Sequence, residues 1–286
     1  MLKFRAISFV LLLGVLAAAV FWRPGGAYLF VALTLIGGFG VAYEAAKMLQ
    51  NCAVPTAPCF AGSVLAVCTS MGALHAVVQS PRISLLCQIV FWTAFCLLVP
   101  FSLLTTLFAR DKKAALLKVI TSVGIVVILF VCLFPLILLY GLTNENGIPV
   151  LLLYLILTTK AGDTGGYIVG LLSSKMMKEG NHKIVPGISP KKSWEGTIGG
   201  LCFSIIVSMV FYWCDCGVFP SVWWYLFSGA LLYISGFAGD LTESVFKRVC
   251  GVKDSGAIIP GMGGFFDVLD SFIYAAPCFV LIAFFL

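Results

Sequence analysis

The feature that most constrains this chain is a series of uninterrupted apolar runs, each about the 20 residues that an α-helix needs to cross a bilayer. They fall near residues 4–22, 26–43, 59–79, 83–109, 119–142, 148–172, 196–214, 221–239 and 265–286. Each run is rich in Leu, Val, Ile and Phe with embedded glycines, whereas an outer-membrane barrel strand is only about ten residues long and alternates in polarity. The pattern predicts an all-α polytopic membrane protein with about nine transmembrane helices. Only 10% of residues are charged and 61% are hydrophobic, against about 25% charged in a soluble domain, so a water-soluble globule is excluded.

The distribution of cations gives the runs a direction, because short cytoplasmic loops collect Lys and Arg. With the N-terminus inside, all 18 Lys and Arg fall on the inner side except Arg23 and Arg82, which lie outside, and Lys160, which lies within the sixth run. That asymmetry predicts a cytoplasmic N-terminus and a C-terminus on the outer face. The first run has a second reading, since Lys3, Arg5, a short apolar stretch and Ala17-Ala18-Ala19 resemble a cleavable signal peptide. Removing residues 1–22 leaves the other eight runs as they are.

Most of the 11 cysteines are scattered singly in apolar runs, where Cys acts as a small hydrophobe. His75 and His182 have no nearby Cys pair at zinc-ligand spacing, so neither a disulfide framework nor a zinc site is expected. Polar residues are ordinary up to about residue 145 and crowd together afterwards. Residues 1–145 therefore read as membrane scaffold and 146–286 as a catalytic membrane domain with cytoplasmic loops 173–195 and 240–264. The cluster Arg110-Asp111-Lys112-Lys113 reads most simply as a topology determinant beside anionic headgroups.

Three polar stretches stand out, because ionisable groups at membrane depth are costly and usually serve a task. In Lys160-Ala161-Gly162-Asp163-Thr164-Gly165-Gly166-Tyr167, Lys160 and Asp163 are spaced as an i,i+3 helix pair, or form the polar floor of a substrate site. Gly187-Ile188-Ser189-Pro190-Lys191-Lys192-Ser193-Trp194-Glu195 runs into the seventh helix. It reads either as an anion site at a helix start or as a basic inner loop with an N-cap. The densest stretch begins at Gly239-Asp240, runs through Glu243, Ser244, Lys247, Arg248, Lys253 and Asp254, and ends at Gly263-Gly264-Phe265-Phe266-Asp267-Val268-Leu269-Asp270. Here Asp240 is expected to close the eighth helix, and Asp267 and Asp270 to share one face at the start of the ninth. Carboxylates of this kind suit Mg²⁺, and the neighbouring cations suit phosphates. No Walker sequence, dinucleotide glycine fingerprint or HExxH motif is present, and no nucleic-acid partner is expected. The ingredients point to metal-assisted chemistry on a phosphorylated substrate at the cytoplasmic face.

At these residues the chain resembles the phosphatidate cytidylyltransferases, or CDP-diacylglycerol synthases. Their signature reads approximately S-x-x-K-R-x4-K-D-x-G-x2-[LIF]-P-G-H-G-G-x2-D-R-x-D. It is matched in register by Ser244, Lys247, Arg248, Lys253, Asp254, Gly256, Ile259, Pro260, Gly261, Gly263, Gly264, Asp267 and Asp270. The upstream S-P-K-K-[ST]-W-E-G, G-D-L-x-E-S and D-x3-Y elements match as well, so the resemblance covers about residues 150–275. It implies transfer of a cytidylyl group from CTP to phosphatidate with a divalent cation, at the cytoplasmic face of the inner (plasma) membrane. It further implies Asp240 and Asp267 as Mg²⁺ ligands, with Asp270 and Asp163 near the same centre. Lys191, Lys192, Lys247, Arg248 and Lys253 would hold the phosphates, with Ser189, Ser244 and Tyr167 also at the substrate site.

Met262 stands where the signature has His, and Val268 where it has Arg, which raises a weakened activity as an alternative. Others are a CTP-using enzyme acting on a different lipid, such as a polyprenol kinase or an isoprenoid-ether lipid cytidylyltransferase, and a transporter coupled through Asp163 and Lys160. The transporter predicts inverted repeats, whereas the polar residues gather in one half. Glycine-rich runs permit close helix packing in either a monomer or a homodimer.

Overall fold

The computed structural model describes residues 2–22, 25–77, 111–143, 147–177, 180–260 and 263–285. The run at 83–109, Arg23, Arg82, Arg110, Gly261 and Met262 lie outside the described residues. Helices occupy the remaining apolar runs: α1 (Leu2–Phe21), α2 (Gly26–Asn51), α3 (Pro58–Val77), α4 (Lys112–Gly141), α5 (Val150–Met176), α6 (Trp194–Trp213), α7 (Val222–Val249), α8 (Phe265–Leu269) and α9 (Phe272–Phe285). Among the described residues, five helical spans are long and apolar enough to cross a membrane: Gly26–Asn51, Lys113–Gly141, Trp194–Trp213, Val222–Val249 and, taking α8 and α9 together, Phe265–Phe285. The protein is thus an almost wholly helical membrane protein. Helix α5 is long but less apolar, because Thr158, Thr159, Lys160, Asp163 and its glycines interrupt the run.

Three local expectations are corrected. Asp240 does not close its helix, because α7 continues to Val249; its last turns are held by a polar pattern at i,i+4 spacing, with Lys247 Nζ 2.7 Å from Glu243 Oε2. The loop before α6 contains an antiparallel hairpin of β1 (Lys183–Val185) and β2 (Ser189–Ser193). Asp267 and Asp270 do not share one continuous helix. Helix α8 stops at Leu269, and Asp270 sits in the turn before α9, where its Oδ1 accepts the Ser271 N–H at 2.5 Å.

The chain forms two compact units. The first comprises residues 1–148 and 249–269. Within it α2 packs against α1, α3 and α8, and α3 packs against α4. Phe30 stacks on Tyr140 with ring centroids 3.7 Å apart, and the Tyr140 hydroxyl donates to the Ala19 carbonyl at 2.8 Å. Asp111 caps α4 by accepting the Lys113 and Ala114 N–H groups at 3.0 Å.

The second unit comprises residues 149–248 and 270–286. Its main seam is α5 against α6, where Gly162, Gly166 and Gly170, four residues apart, face Gly196 and Gly200. The Gly200 and Gly196 Cα positions approach the Gly162 and Gly166 carbonyls so closely that a Cβ on Gly200 would lie 2.7 Å from the Gly162 oxygen, and one on Gly196 2.8 Å from that of Gly166. This is the small-residue packing that lets membrane helices touch backbone to backbone. Below the seam, the fully buried Tyr154 hydroxyl bonds Ser208 and Ser228 at 2.5 Å each. The Tyr154 ring is surrounded by Phe211, Phe219, Tyr225 and Phe279. A buried tyrosine needs such partners for its polar end, and here they fasten α5, α6, α7 and α9 together.

Candidate active site

The extension of α7 brings Asp240 and Glu243 onto one side of the helix, three residues apart, and the α8–α9 break leaves Asp270 in a turn rather than inside a helix. Within the second unit, one carboxylate oxygen from each of Asp240, Glu243 and Asp270 lies within 4.8 Å of the others. Glu243 is fully buried, whereas Asp240 and Asp270 are partly accessible. Three carboxylates this close repel one another unless cations stand beside them.

The cations are present. Lys192 Nζ is 3.1 Å from Asp240 Oδ2 and lies 4.2 Å above the centre of the Phe237 ring. Lys247 pairs with Glu243. Lys160 donates to Asp163 Oδ2 at 3.1 Å and to Ser271 Oγ at 2.7 Å, and Ser271 Oγ in turn donates to Asp163 Oδ2 at 3.2 Å. The i,i+3 pairing expected of Lys160 and Asp163 is therefore present, and Ser271 joins it from beside Asp270. Ser244 Oγ reaches Asp240 Oδ1 at 3.5 Å.

Neighbouring residues of a strand point to opposite faces, so of the adjacent lysines on β2 Lys192 turns to Asp240 while Lys191 is exposed. Ser189 is partly buried at the other end of that strand, and Arg248 Nε donates to the Ile188 carbonyl at 3.2 Å, tying the end of α7 to the hairpin. Tyr167, one turn beyond Asp163, is 61% exposed. The hairpin is held against α5 by Asn181, whose Nδ2 donates to the Gly170 carbonyl at 2.8 Å and to Ser193 Oγ at 3.0 Å. Ser193 Oγ also caps α6 by accepting the Gly196 N–H at 3.2 Å.

Asp267 and Lys253 belong to the first unit. Lys253 is exposed in the segment that follows α7. Asp267 Oδ2 accepts the Ser255 N–H at 3.0 Å, the Ser255 hydroxyl at 2.8 Å and the Gly264 N–H at 2.7 Å, so this carboxylate organises the chain on either side of Pro260. Two contributors had no role assigned from the sequence: Glu243, which stands in the G-D-L-x-E-S element at i,i+3 from Asp240, and Ser271.

The three clustered carboxylates fit a divalent cation. Mg²⁺ takes hard oxygen ligands at about 2.0–2.1 Å and is usually held by one or two carboxylates together with substrate phosphates. Asp240, Glu243 and Asp270 would supply such oxygens, and the ammonium groups beside them carry the charge that suits a phosphate.

Membrane-crossing helices with carboxylates and ammonium groups gathered at one polar cluster define a helical membrane protein with a candidate cation-binding site. The sequence profile of the cytidylyltransferase family matches residues 3–286, and the chain belongs to that family. A phosphatidate cytidylyltransferase of Staphylococcus haemolyticus is 46% identical over 136 residues, 47% of this chain and 49% of the relative. The Staphylococcus aureus protein of the same name (strain COL) is 46% identical over the same proportions. An Escherichia coli K12 protein, the uncharacterized protein YnbB, is 37% identical over 142 residues, 48% of this chain and 43% of the relative. The chain thus spans about half the length of the curated relatives it matches.

Proposed function

We propose that this protein transfers a cytidylyl group from CTP to phosphatidate, forming CDP-diacylglycerol and pyrophosphate. The observation that carries the proposal is the Asp240, Glu243 and Asp270 cluster with Lys192 and Lys247 paired to it, in a chain of the cytidylyltransferase family.

In this reading Asp240, with Glu243 and Asp270, would hold Mg²⁺, and the ligand position that the signature assigns to its first aspartate falls on Asp267. When bound, a divalent cation would offset negative charge on the triphosphate. A phosphatidate oxygen attacks the α-phosphorus of CTP; the new P–O bond forms as the α–β bridge breaks and pyrophosphate leaves. The nucleophile is a phosphate monoester with a second pKa of about 6, by analogy with phosphoserine, so it is largely a dianion at neutral pH and requires no general base. Such reactions depend mainly on positioning and charge stabilisation. Lys191, Lys192, Lys247, Arg248 and Lys253 supply the cations for the triphosphate and lipid phosphate, and Lys160 keeps Asp163 in place beside Ser271. Ser189, Ser244, Asp163 and Tyr167 belong to the substrate side. Position 262 is permissive, because no base is needed there.

The proposal extends to nine spans with the N-terminus inside, a scaffold role for residues 1–145 and a catalytic role for 146–286. Phosphatidate would enter from the bilayer of the inner (plasma) membrane and CTP from the cytoplasm. The decisive assay incubates purified protein in detergent with radiolabelled CTP, Mg²⁺ and phosphatidate. Appearance of CDP-diacylglycerol supports the reading. Transfer of a single phosphate, or CMP transfer only to another lipid alcohol phosphate, replaces it with a different CTP-using activity.

A further inference from the structure

The N-terminal half contains one carboxylate that the scaffold role leaves unexplained. Glu44 on α2 is the sole acidic residue before Asp111, and it is 2% exposed. Burying a carboxylate is costly unless hydrogen bonds replace its water. Among the described residues, its donors come from the signature segment: Glu44 Oε2 accepts the Phe266 N–H at 3.0 Å and the Ser255 hydroxyl at 3.0 Å. Ser255 Oγ also lies 2.8 Å from Asp267 Oδ2. A serine hydroxyl has one proton to give, so Ser255 Oγ, within hydrogen-bond distance of both carboxylates, serves one of them at a time.

The glycines of the signature fit the same carboxylate. A Cβ added at Gly256 would collide with the Glu44 carboxylate and lie 3.4 Å from Gly264 Cα; one added at Gly264 would strike both Glu44 oxygens and Ser255 Oγ. One turn earlier on α2, a Cβ at Gly40 would run into the Phe265 ring. Gly40 and Glu44, on one face of α2, thus form a fitted seat for Ser255–Gly256 and Gly264–Phe266.

We propose that Glu44 is a positioning residue for the reaction: it seats the signature segment on α2 so that Asp267 is presented in one fixed arrangement, and Gly256 and Gly264 are glycines because this carboxylate occupies their side-chain space. The catalytic consequence rests on the cytidylyltransferase reading; the seating does not.

The test uses the full chain in detergent, with two readouts. Hydrogen–deuterium exchange of peptides covering 253–268 should rise in Glu44→Ala and in Gly256→Ala. It should rise no further in the double variant Glu44→Ala/Gly256→Ala than in Glu44→Ala alone, since the added methyl then meets no carboxylate. In the CTP assay, kcat should fall about 10- to 100-fold in Glu44→Ala, the range for groups that orient reacting residues, while KM for CTP stays within about twofold. Glu44→Gln keeps a carbonyl acceptor for the Phe266 N–H and should recover part of both losses. Should Glu44→Ala fail to accumulate, Glu44→Gln and Gly256→Ala carry the same comparison. Wild-type exchange and kcat in Glu44→Gln and Glu44→Ala, or fully additive effects in the double variant, overturn the proposal. If the wild-type protein makes no CDP-diacylglycerol, the reaction assignment fails, and the exchange readout still decides the role of Glu44.

Discussion

Asp240 is held from two sides, by Lys192 from the hairpin and Ser244 from its own helix, and it shares its charge with Glu243 and Asp270. If these carboxylates hold the cation, Asp240→Asn lowers turnover on the order of 100-fold, the effect of removing one preorganised electrostatic contact. Glu243→Gln should instead raise the Mg²⁺ concentration needed for half-maximal rate, which a metal titration of the CTP assay reads directly. A rate independent of both substitutions would displace the cluster from the chemistry. The two adjacent lysines separate in the same way: Lys192→Ala should weaken activity far more than Lys191→Ala, because only Lys192 reaches Asp240. Asp240, Lys192 and Asp270 were legible in the sequence, since charged residues bordering apolar helices are conspicuous. Glu44 was not. A single acid at the end of an apolar run looks like an ordinary helix terminus until the segment that covers it, more than 200 residues away in sequence, is placed against it.

At the scale of elements, apolar run length located the described helices within a few residues, apart from the C-terminal end of α2, the start of α4, the end of α7 and the break that divides the last run into α8 and α9. The misread ends share a cause. Hydropathy follows the apolar stretch, whereas a helix continues as long as its backbone bonds and side-chain pairs support it, as Glu243 and Lys247 do on α7. The hairpin escaped for the complementary reason, since Ser189-Pro190-Lys191-Lys192-Ser193 lacks the apolar alternation that marks a strand. The α5–α6 seam carries its own prediction. Gly200→Leu forces a side chain into the space beside the Gly162 carbonyl and the Tyr233 ring, and overpacking of this kind costs about 1–3 kcal/mol. The thermal midpoint of the detergent-solubilised protein should drop by several degrees; a midpoint equal to wild type would mean that the helices separate at no cost.

For the whole molecule, the distribution of lysines and arginines makes a statement about sides that native cysteines can test. Cys214 is exposed between α6 and α7, which the proposed orientation puts on the outer face. A membrane-impermeant maleimide should therefore label it in intact cells. Labelling only after permeabilisation would invert the topology. Cys250 serves as an internal control: burial, followed by the neighbouring Cys52, pushes its thiol up to about 12. Since the thiolate is the reactive species, Cys250 should react slowly near pH 8 from either side. The seat that α2 offers to the signature segment has a further consequence across related chains. The acid at 44 and the small residues at 256 and 264 constrain one another, so they should be inherited as a set. A lineage that exchanges Glu44 for a short side chain becomes free to accept alanine at 256, and drift at these positions should be correlated although they lie at opposite ends of the polypeptide.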